Sequence, residues 1–185
     1  MYYTIHTTDT APAEARDLLA GAARGYGFVP NLLAIMAEAP TLLEGYWTLS
    51  RLFEASSLSA TERQIVLLTV SAENTCEYCI AAHTVIAGMQ RVPSAIVDAI
   101  RDGHAIADAK LEALRQFTAA VVASRGRPAH TALASFLGAG YGQQQVLEVV
   151  LGVGIKTMSN YTNHIAHTPV DEAFAVASWS VASSA

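Results

Sequence analysis

The chain has 185 residues, of which 52% are hydrophobic and 15% are charged, and its formal net charge is −5. This charged fraction is low against the roughly 25% that is typical of soluble domains, so we expect subunit interfaces to cover part of the apolar surface. The acidic balance and the absence of a basic run argue against nucleic-acid binding. No apolar run approaches the roughly 18 residues of a membrane span, and no signal-peptide pattern opens the chain. We therefore predict a cytoplasmic oligomer that does not enter membranes.

Signals for helix starts and stops recur along the chain. Proline or a capping-box pair opens most of the apolar-periodic segments, and glycine follows many of them. The two capping-box pairs are Thr41 with Glu44 and Ser59 with Glu62. The predicted helical segments are, in chain order, 11–27, 39–55, 57–73, 74–91, 93–103, 108–126, 128–140, 142–167 and 170–182.

Alternating apolar and polar runs bounded by tight turns, which are typical of strands, are absent from the sequence. We therefore predict an all-α fold in which helices joined by short connections pack on one another. No linker or low-complexity segment divides the chain, so we expect a single all-helical domain over residues 1–185.

Both cysteines of the chain lie in the segment ENTCEYCIAAH, residues 73–83. If one helix covers this segment, Cys76, Cys79 and His83 fall within an arc of roughly 60° on one face, because residues three and four apart are neighbours on a helix. Glu73 lies at the edge of the same stripe when the turn before the helix is tight. This spacing predicts that the two thiols and the imidazole share one site.

The chemistry of this site follows from where the helix begins. Asn74 or Thr75 is a suitable N-cap, which places Cys76 in the first turn, where the helix dipole lowers the pKa of a thiol. Cys79 lies one turn deeper, and His83 can take or return a proton near neutral pH. A nucleophilic thiol, a second thiol and a proton carrier suit thiol–disulfide exchange or peroxide reduction.

Other interpretations of the two cysteines stay open on the residues alone. A zinc site built from Cys76, Cys79 and His83 needs a fourth ligand, which His164 or His167 can supply. Two unreactive core cysteines are a second alternative, since free cysteine is often buried. A thioredoxin-like pair is disfavoured, because no strand precedes the motif.

Three stretches of the chain resemble one family. Residues 59–84, SATERQIVLLTVSAENTCEYCIAAHT, resemble the alkyl hydroperoxidase D-like branch of the carboxymuconolactone decarboxylase superfamily. Residues 26–47 and 146–174 are similar to its peroxidase-related members. The resemblance covers about residues 20–175, and its core is the pattern E-x-x-C-x-x-C-x-x-x-H.

The resemblance implies an all-helical bundle that assembles as a homotrimer or homohexamer and reduces hydroperoxides. Carried over by position, Cys79 is the peroxidatic thiol, Cys76 its resolving partner and His83 a member of the proton relay. The implied partners are a small hydroperoxide and a thiol reductant of unknown identity, and no cofactor or metal is required. A general thiol–disulfide oxidoreductase or redox sensor is the first alternative, and a non-enzymatic zinc-binding or structural oligomer is the second.

The chain departs from the family at one relay position. Members of the family carry a glutamate twelve residues before the first cysteine, where this chain has Gln64, which cannot exchange a proton near neutral pH. On an unbroken helix this separation spans about 18 Å, so the chain must bend between two helices for the position to reach the thiols. We expect Glu73 to substitute for the missing acid, ahead of Glu62, whose capping role is sufficient explanation.

The segment before Pro169 holds further candidates. His164 and His167 are interpreted as residues that interact with the last carbonyls of a helix. Tyr161 and Asn163 line the thiol cavity if the helical hairpins pack face to face. Tyr78, between the cysteines, is expected to point away from their stripe.

Two glycine patterns are rejected as nucleotide sites. GAGYG at 138–142 lacks the preceding strand of a dinucleotide fingerprint. GIKT at 154–157 resembles the end of a phosphate-binding loop, but Val149 stands where that loop requires glycine. Neither pattern predicts a nucleotide cofactor.

Overall fold

The computed structural model describes residues 3–180, and the regular elements within that range are all helices. They are α1 (Ala13–Tyr26), α2 (Asn31–Met36), α3 (Pro40–Glu54), α4 (Ala60–Glu73), α5 (Glu77–Met89), α6 (Ser94–Arg101), α7 (Ala109–Ala123), α8 (His130–Gly138), α9 (Gln143–Ala166) and α10 (Glu172–Ala175). The predicted all-α fold class is confirmed. The predicted last segment, 170–182, is helical only over α10, and residues 181–182 lie outside the described range.

α4 is the centre of the bundle. All residues from Gln64 to Ser71 are buried, and α4 packs against α5, α6, α7 and α9. A helix covered on every side needs apolar residues on every side, which the run IVLL at 65–68 provides. Because α4 is fixed on all sides, the turn at its end has a defined position relative to α9.

The chain reverses between α4 and α5 through a Schellman-type turn. Thr75 adopts a φ of 53°, in the left-handed region that a β-branched residue rarely occupies. The Thr75 N–H donates to the Ala72 carbonyl at 2.9 Å, and the Cys76 N–H donates to the Ser71 carbonyl at 2.9 Å, the two bonds that define this motif. Cys76 is therefore both the last residue of the turn and the N-cap of α5.

This turn corrects the predicted start of the helix. Asn74 is the C-cap of α4, and α5 begins at Glu77, so neither Asn74 nor Thr75 caps the second helix. Cys76 precedes the first turn instead of lying in it, while Cys79 is the third residue of α5. The physical reason is that the turn uses the N–H of Cys76 to satisfy a carbonyl of the preceding helix.

The two capping-box predictions have different outcomes. The Ser59–Glu62 box is formed, with the Glu62 N–H donating to Ser59 Oγ at 3.3 Å and the Ser59 N–H donating to the Glu62 carboxylate at 2.8 Å. The Thr41–Glu44 box is wrong, because α3 begins at Pro40 and its N-cap is Ala39, two residues before Thr41. Proline supplies the preset φ of a first helical residue, so Thr41 lies inside the first turn and caps nothing.

α9 is a continuous helix of 24 residues that crosses close to α3 and α4. Gly152 marks the point of closest approach, because a Cβ built there would lie 2.6 Å from Val66 Cγ1 and 3.1 Å from Phe53 Cζ. One face of α9 carries buried polar side chains. They are Lys156, Ser159, Asn160 and Asn163.

The segment after α9 closes one side of the bundle. Asp171 accepts hydrogen bonds from the Tyr78 hydroxyl at 2.6 Å and from the Asn31 N–H at 3.0 Å. Trp179 donates its indole N–H to the Arg101 carbonyl at 2.9 Å. These bonds join the start of α5, the start of α2 and the end of α6 to the C-terminal segment.

Membrane insertion has no candidate among the helices of residues 3–180, none of which combines the necessary length and apolarity.

Candidate active site

The structure brings Cys76 and Cys79 together, and His83 lines the same cavity as Cys79. Both cysteines are free thiols with 1% of their surface exposed. The side-chain N–H₂ of Asn163 donates to Cys79 Sγ at 3.2 Å and to Cys76 Sγ at 3.7 Å, so one amide of α9 contacts both sulfurs. The pair therefore lies between the start of α5 and the polar face of α9.

The two thiols differ in acidity. Burial by itself raises the pKa of Cys79, but the hydrogen bond from the Cys76 thiol and the positive charge of Lys156 outweigh it, and the pKa lies well below its ordinary value. The hydrogen bond to Cys79, with burial second, raises the pKa of Cys76. The expectation from the helix dipole is therefore reversed: Cys79 is the more acidic thiol, and Cys76 is the thiol that donates to it.

Lys156 faces the thiols from α9. It is fully buried, and its ammonium has no hydrogen-bond partner among the described residues. One turn further along α9, Ser159 Oγ lies 3.8 Å from Cys79 Sγ, within hydrogen-bond reach for sulfur. After burial and, for Cys79, the hydrogen bond from Cys76, the Lys156 charge lowers the pKa of both Cys79 and His83.

His83 is held by a chain of two glutamines. Its Nδ1 lies 3.0 Å from Gln64 Oε1, and Gln64 donates its side-chain N–H₂ to Gln90 Oε1 at 3.1 Å. Because a carboxamide oxygen only accepts, this network assigns the ring proton to Nδ1 and leaves Nε2 free to accept. Burial, with the Lys156 charge second, lowers the pKa of His83 well below its ordinary value, so the ring is neutral.

Gln64 therefore occupies the relay position itself. It is 3% exposed and contacts His83 directly, because the turn after α4 lays α5 back along it. The expected bend between two helices is confirmed. An amide at this position fixes the tautomer of the histidine but supplies no proton.

A carboxylate in place of this amide is expected to restore a proton relay. In Gln64→Glu, the pKa of His83 should rise, because a negative charge at hydrogen-bond distance stabilises the imidazolium. NMR titration of the histidine Cε1–H measures the effect.

Gln90→Glu is the matched control, since it adds the same charge one hydrogen bond further from the ring. A smaller rise in the pKa of His83 is expected there. An unchanged His83 pKa in Gln64→Glu would contradict the assigned contact.

The structure does not bring Glu73 to the thiols. It is the last residue of α4, is exposed and does not line the cavity described below. Its charge acts instead on Arg115, whose pKa it helps to raise. Glu62 is occupied by its cap and by a hydrogen bond from Tyr141 at 2.9 Å.

Of the candidate residues before Pro169, the fold places one at the thiols and three outside the cavity. Asn163 contacts the sulfurs, whereas His164, His167 and Tyr161 are exposed and lie outside the cavity. Within residues 3–180, no three His, Cys, Asp or Glu side chains are arranged to hold a metal ion. The two histidines are therefore not in place as the fourth ligand that the zinc alternative requires.

A cavity of about 270 Å³ opens onto Cys79. Cys79, His83 and Lys156 line it, whereas Cys76 does not. Most of its wall is aromatic or aliphatic, from Tyr26, Leu32, Leu33, Tyr46, Trp47, Tyr78, Ile86 and Phe174. A small apolar molecule with one polar end fits such a site, and it would meet Cys79 before Cys76.

Sequence reasoning missed three residues of the site. Lys156 was considered only within the rejected GIKT pattern, and Ser159 and Tyr46 were not considered. One signal was available: Lys156, Ser159 and Asn163 recur at helical spacing in an otherwise apolar stretch, which indicates a polar stripe facing inward. Tyr78 was expected to point away, but it lines the cavity while its hydroxyl bonds Asp171.

Comparison with known proteins gives the following similarities. Residues 37–123 match the model of the carboxymuconolactone decarboxylase family, and no curated protein matches the sequence significantly. The fold is similar to the alkylhydroperoxidase AhpD core of an uncharacterized peroxidase-related protein from Ralstonia eutropha JMP134, with a TM-score of 0.81 and 17% identity over 93% of each chain. A peroxidase-related protein from Silicibacter sp. TM1040 gives a TM-score of 0.79 and 18% identity, over 94% of this chain and 92% of that one.

A third similar structure is the debrominase Bmp8, solved as a cysteine-to-alanine variant in complex with 2,3,4-tribromopyrrole. Its TM-score is 0.80 at 16% identity, over 96% of this chain and 95% of that one. At such identities the similarity establishes a shared fold.

Proposed function

We propose that the chain, whose residues 37–123 match the carboxymuconolactone decarboxylase family, is a member of the superfamily of these decarboxylases and alkyl hydroperoxidase D-like proteins and reduces hydroperoxides with the Cys79–Cys76 pair. One observation carries the proposal: only Cys79 faces the cavity, and Cys76 lies behind it as the protonated partner. This order matches a nucleophile and a resolving thiol.

The reaction has two steps. The Cys79 thiolate attacks the terminal oxygen of the hydroperoxide, the O–O bond breaks, and a sulfenic acid forms as the alkoxide leaves and takes up a proton. The Cys76 thiol then attacks the Cys79 sulfur, which gives a Cys76–Cys79 disulfide and water. An external dithiol reduces the disulfide, so the net reaction converts hydroperoxide and two thiols into alcohol, water and a disulfide.

His83 orients the substrate in this scheme. Its free Nε2 accepts a hydrogen bond from the O–H of the hydroperoxide, which places the terminal oxygen near the thiolate. Asn163 donates to both sulfurs and holds them in reach of each other. Glu73, which lies outside the cavity, takes no part.

Titration of the fully reduced protein tests the proposal. We expect one equivalent of tert-butyl hydroperoxide to remove both thiols within a minute and peptide mapping to find an intramolecular disulfide. Thiols that persist toward hydroperoxides but exchange with a disulfide reagent would contradict it and favour the general thiol–disulfide oxidoreductase.

A second candidate is reductive debromination of an aromatic compound. The aromatic wall of the cavity and the fold shared with the debrominase Bmp8 favour it. The same dithiol supplies the two electrons: a carbon–bromine bond becomes carbon–hydrogen, bromide leaves, and the disulfide forms. Bromide release from 2,3,4-tribromopyrrole in the presence of dithiothreitol would support this candidate over the first.

We also propose that the protein is a homotrimer or homohexamer of the cytoplasm. An apolar stripe on α9 is uncovered in the single chain, with exposed fractions of 69% at Leu147, 51% at Val150 and 65% at Ile165. We expect light scattering to give three or six chains for the wild type and a monomer for the double variant Leu147→Glu, Ile165→Glu. Met89→Glu, also at an exposed apolar residue, is the control; a monomeric wild type would contradict the prediction.

A further inference from the structure

Lys156 is a buried cation without a carboxylate partner among the described residues. None of its surface is exposed, and no described residue accepts a hydrogen bond or salt bridge from its ammonium. A buried ammonium is costly unless an opposite charge faces it, and the Cys79 thiol is the cavity group whose ionisation the Lys156 charge favours. Such a residue at the wall of a cavity therefore points to a reaction that uses its charge or its proton.

The register of α9 places Lys156 beside the reacting thiol. Residues 156, 159 and 163 share one face of the helix, and Ser159 and Asn163 both contact the Cys79 sulfur. Lys156 lines the cavity together with Cys79 and His83. Its ammonium is thus presented to the space in which the O–O bond would break.

The other titratable groups of the cavity do not compete for this role. Tyr26, Tyr46 and Tyr78 all have pKa values raised by burial. Arg51 and Glu54, both on α3, are exposed. His83 is neutral, and its one ring proton is held by Gln64.

We propose that Lys156 is the general acid of the reaction: its ammonium balances the Cys79 thiolate at rest and protonates the departing alkoxide. This inference rests on the proposed function. Thiolate, ammonium and hydroperoxide become sulfenic acid, neutral amine and alcohol, so the S–O bond forms as the O–O bond breaks and the proton moves from Nζ to the alkoxide oxygen. The negative charge of the thiolate and the positive charge of the ammonium are both neutralised in the same step.

A cationic acid such as lysine keeps the net charge of the buried site at zero before and after the reaction. When the thiolate is consumed without proton transfer, the ammonium stays buried with no counter-charge. Transfer of its proton leaves a neutral amine, so no unpaired charge stays in the buried site. Reduction of the disulfide regenerates the thiolate, and the amine takes the proton back.

The test compares two oxidants whose leaving groups differ in basicity. Tert-butyl hydroperoxide releases a strongly basic alkoxide that needs an acid, whereas peracetic acid releases acetate, which does not. Reaction rates of reduced wild type, Lys156→Met and Lys156→Arg are measured by stopped flow at a pH at which Cys79 is ionised in each. Iodoacetamide alkylation as a function of pH defines that pH, and circular dichroism verifies folding.

For Lys156→Met, we expect the rate with tert-butyl hydroperoxide to fall about 100-fold, as loss of a general acid does, and the rate with peracetic acid to stay within about threefold. Lys156→Arg keeps the charge but cannot release a proton, so it should show the same selective loss. Lys110→Met, at the other lysine of the chain, should change neither rate.

Equal losses with both oxidants, or no loss with either, would overturn the acid role while leaving the peroxidase intact. Failure of the wild type to react with either oxidant would overturn the proposed function and this inference with it. The rate of the wild type therefore separates a failure of the acid role from a failure of the proposed peroxidase function.

Discussion

Replacement of Cys79 by serine is expected to abolish hydroperoxide turnover. A serine hydroxyl is not ionised beside Lys156 and cannot form the sulfenic acid, so turnover should fall about 10⁴-fold or more, as it does when an activated nucleophile is removed. The measurement is hydroperoxide consumption with dithiothreitol as reductant. Turnover in the Cys79→Ser variant within tenfold of wild type would refute the assignment of the nucleophile.

Cys76→Ser is the matched control at the neighbouring thiol. It retains the nucleophile but cannot close the disulfide, so one equivalent of hydroperoxide should still be consumed rapidly. A sulfenic acid on Cys79 should then be trapped by dimedone and detected by mass spectrometry. If Cys76→Ser loses this first step and Cys79→Ser keeps it, the two roles are reversed.

Gly152→Ala is expected to destabilise the fold by about 2–3 kcal/mol. The added Cβ would lie 2.6 Å from Val66 Cγ1 and 3.1 Å from Phe53 Cζ, and both neighbours are buried. A valine in a helix has little rotamer freedom, so α9 itself must move away from α4. This cost exceeds the gain of up to about 1 kcal/mol that alanine brings to a helix interior. Urea unfolding at a fixed chain concentration measures the difference.

Gly45→Ala provides the control in the same helix pair. Gly45 faces α9 from α3, and its added Cβ would meet only Met158 Cε, at an ordinary distance of 3.7 Å. We expect this variant to be as stable as the wild type or more stable. A loss at Gly45 equal to that at Gly152 would show that close approach of α9 is not the cause.

The composition and the capping signals of the sequence predicted the helices well because those signals are local. The all-α class, the Ser59–Glu62 box and the limits of α1, α7 and α9 depend on residues within one or two turns. The closeness of Cys76 and Cys79 was also predicted from their spacing of three residues, although Cys76 is the N-cap of α5 and not a residue of the helix.

The turn at Thr75 could not be predicted in this way. Glycine or asparagine is the residue that signals a left-handed helix end, and threonine gives no such signal. On one continuous helix Glu73 would share the face of Cys76; because the chain reverses at Thr75, Glu73 ends in solvent. The same reversal brings Gln64, twelve residues before Cys76, to His83.

The role of α9 was also beyond local reasoning. Lys156 and Ser159 acquire their importance from side chains about eighty residues away, and the spacing of a polar stripe does not name its partner. Asn163 was anticipated through the assumption that the hairpins pack face to face. The sequence around Lys156 resembles only the end of a nucleotide loop and gives no sign of the thiols that it faces.

The position of Cys76 behind Cys79 has a consequence for recycling in the proposed cycle. A reductant that enters through the cavity meets the Cys79 sulfur of the disulfide first and expels Cys76. A thiol whose pKa is raised is a slow leaving group. We therefore expect the reductive half-cycle to be slower than the oxidative one and the disulfide form to predominate during steady turnover.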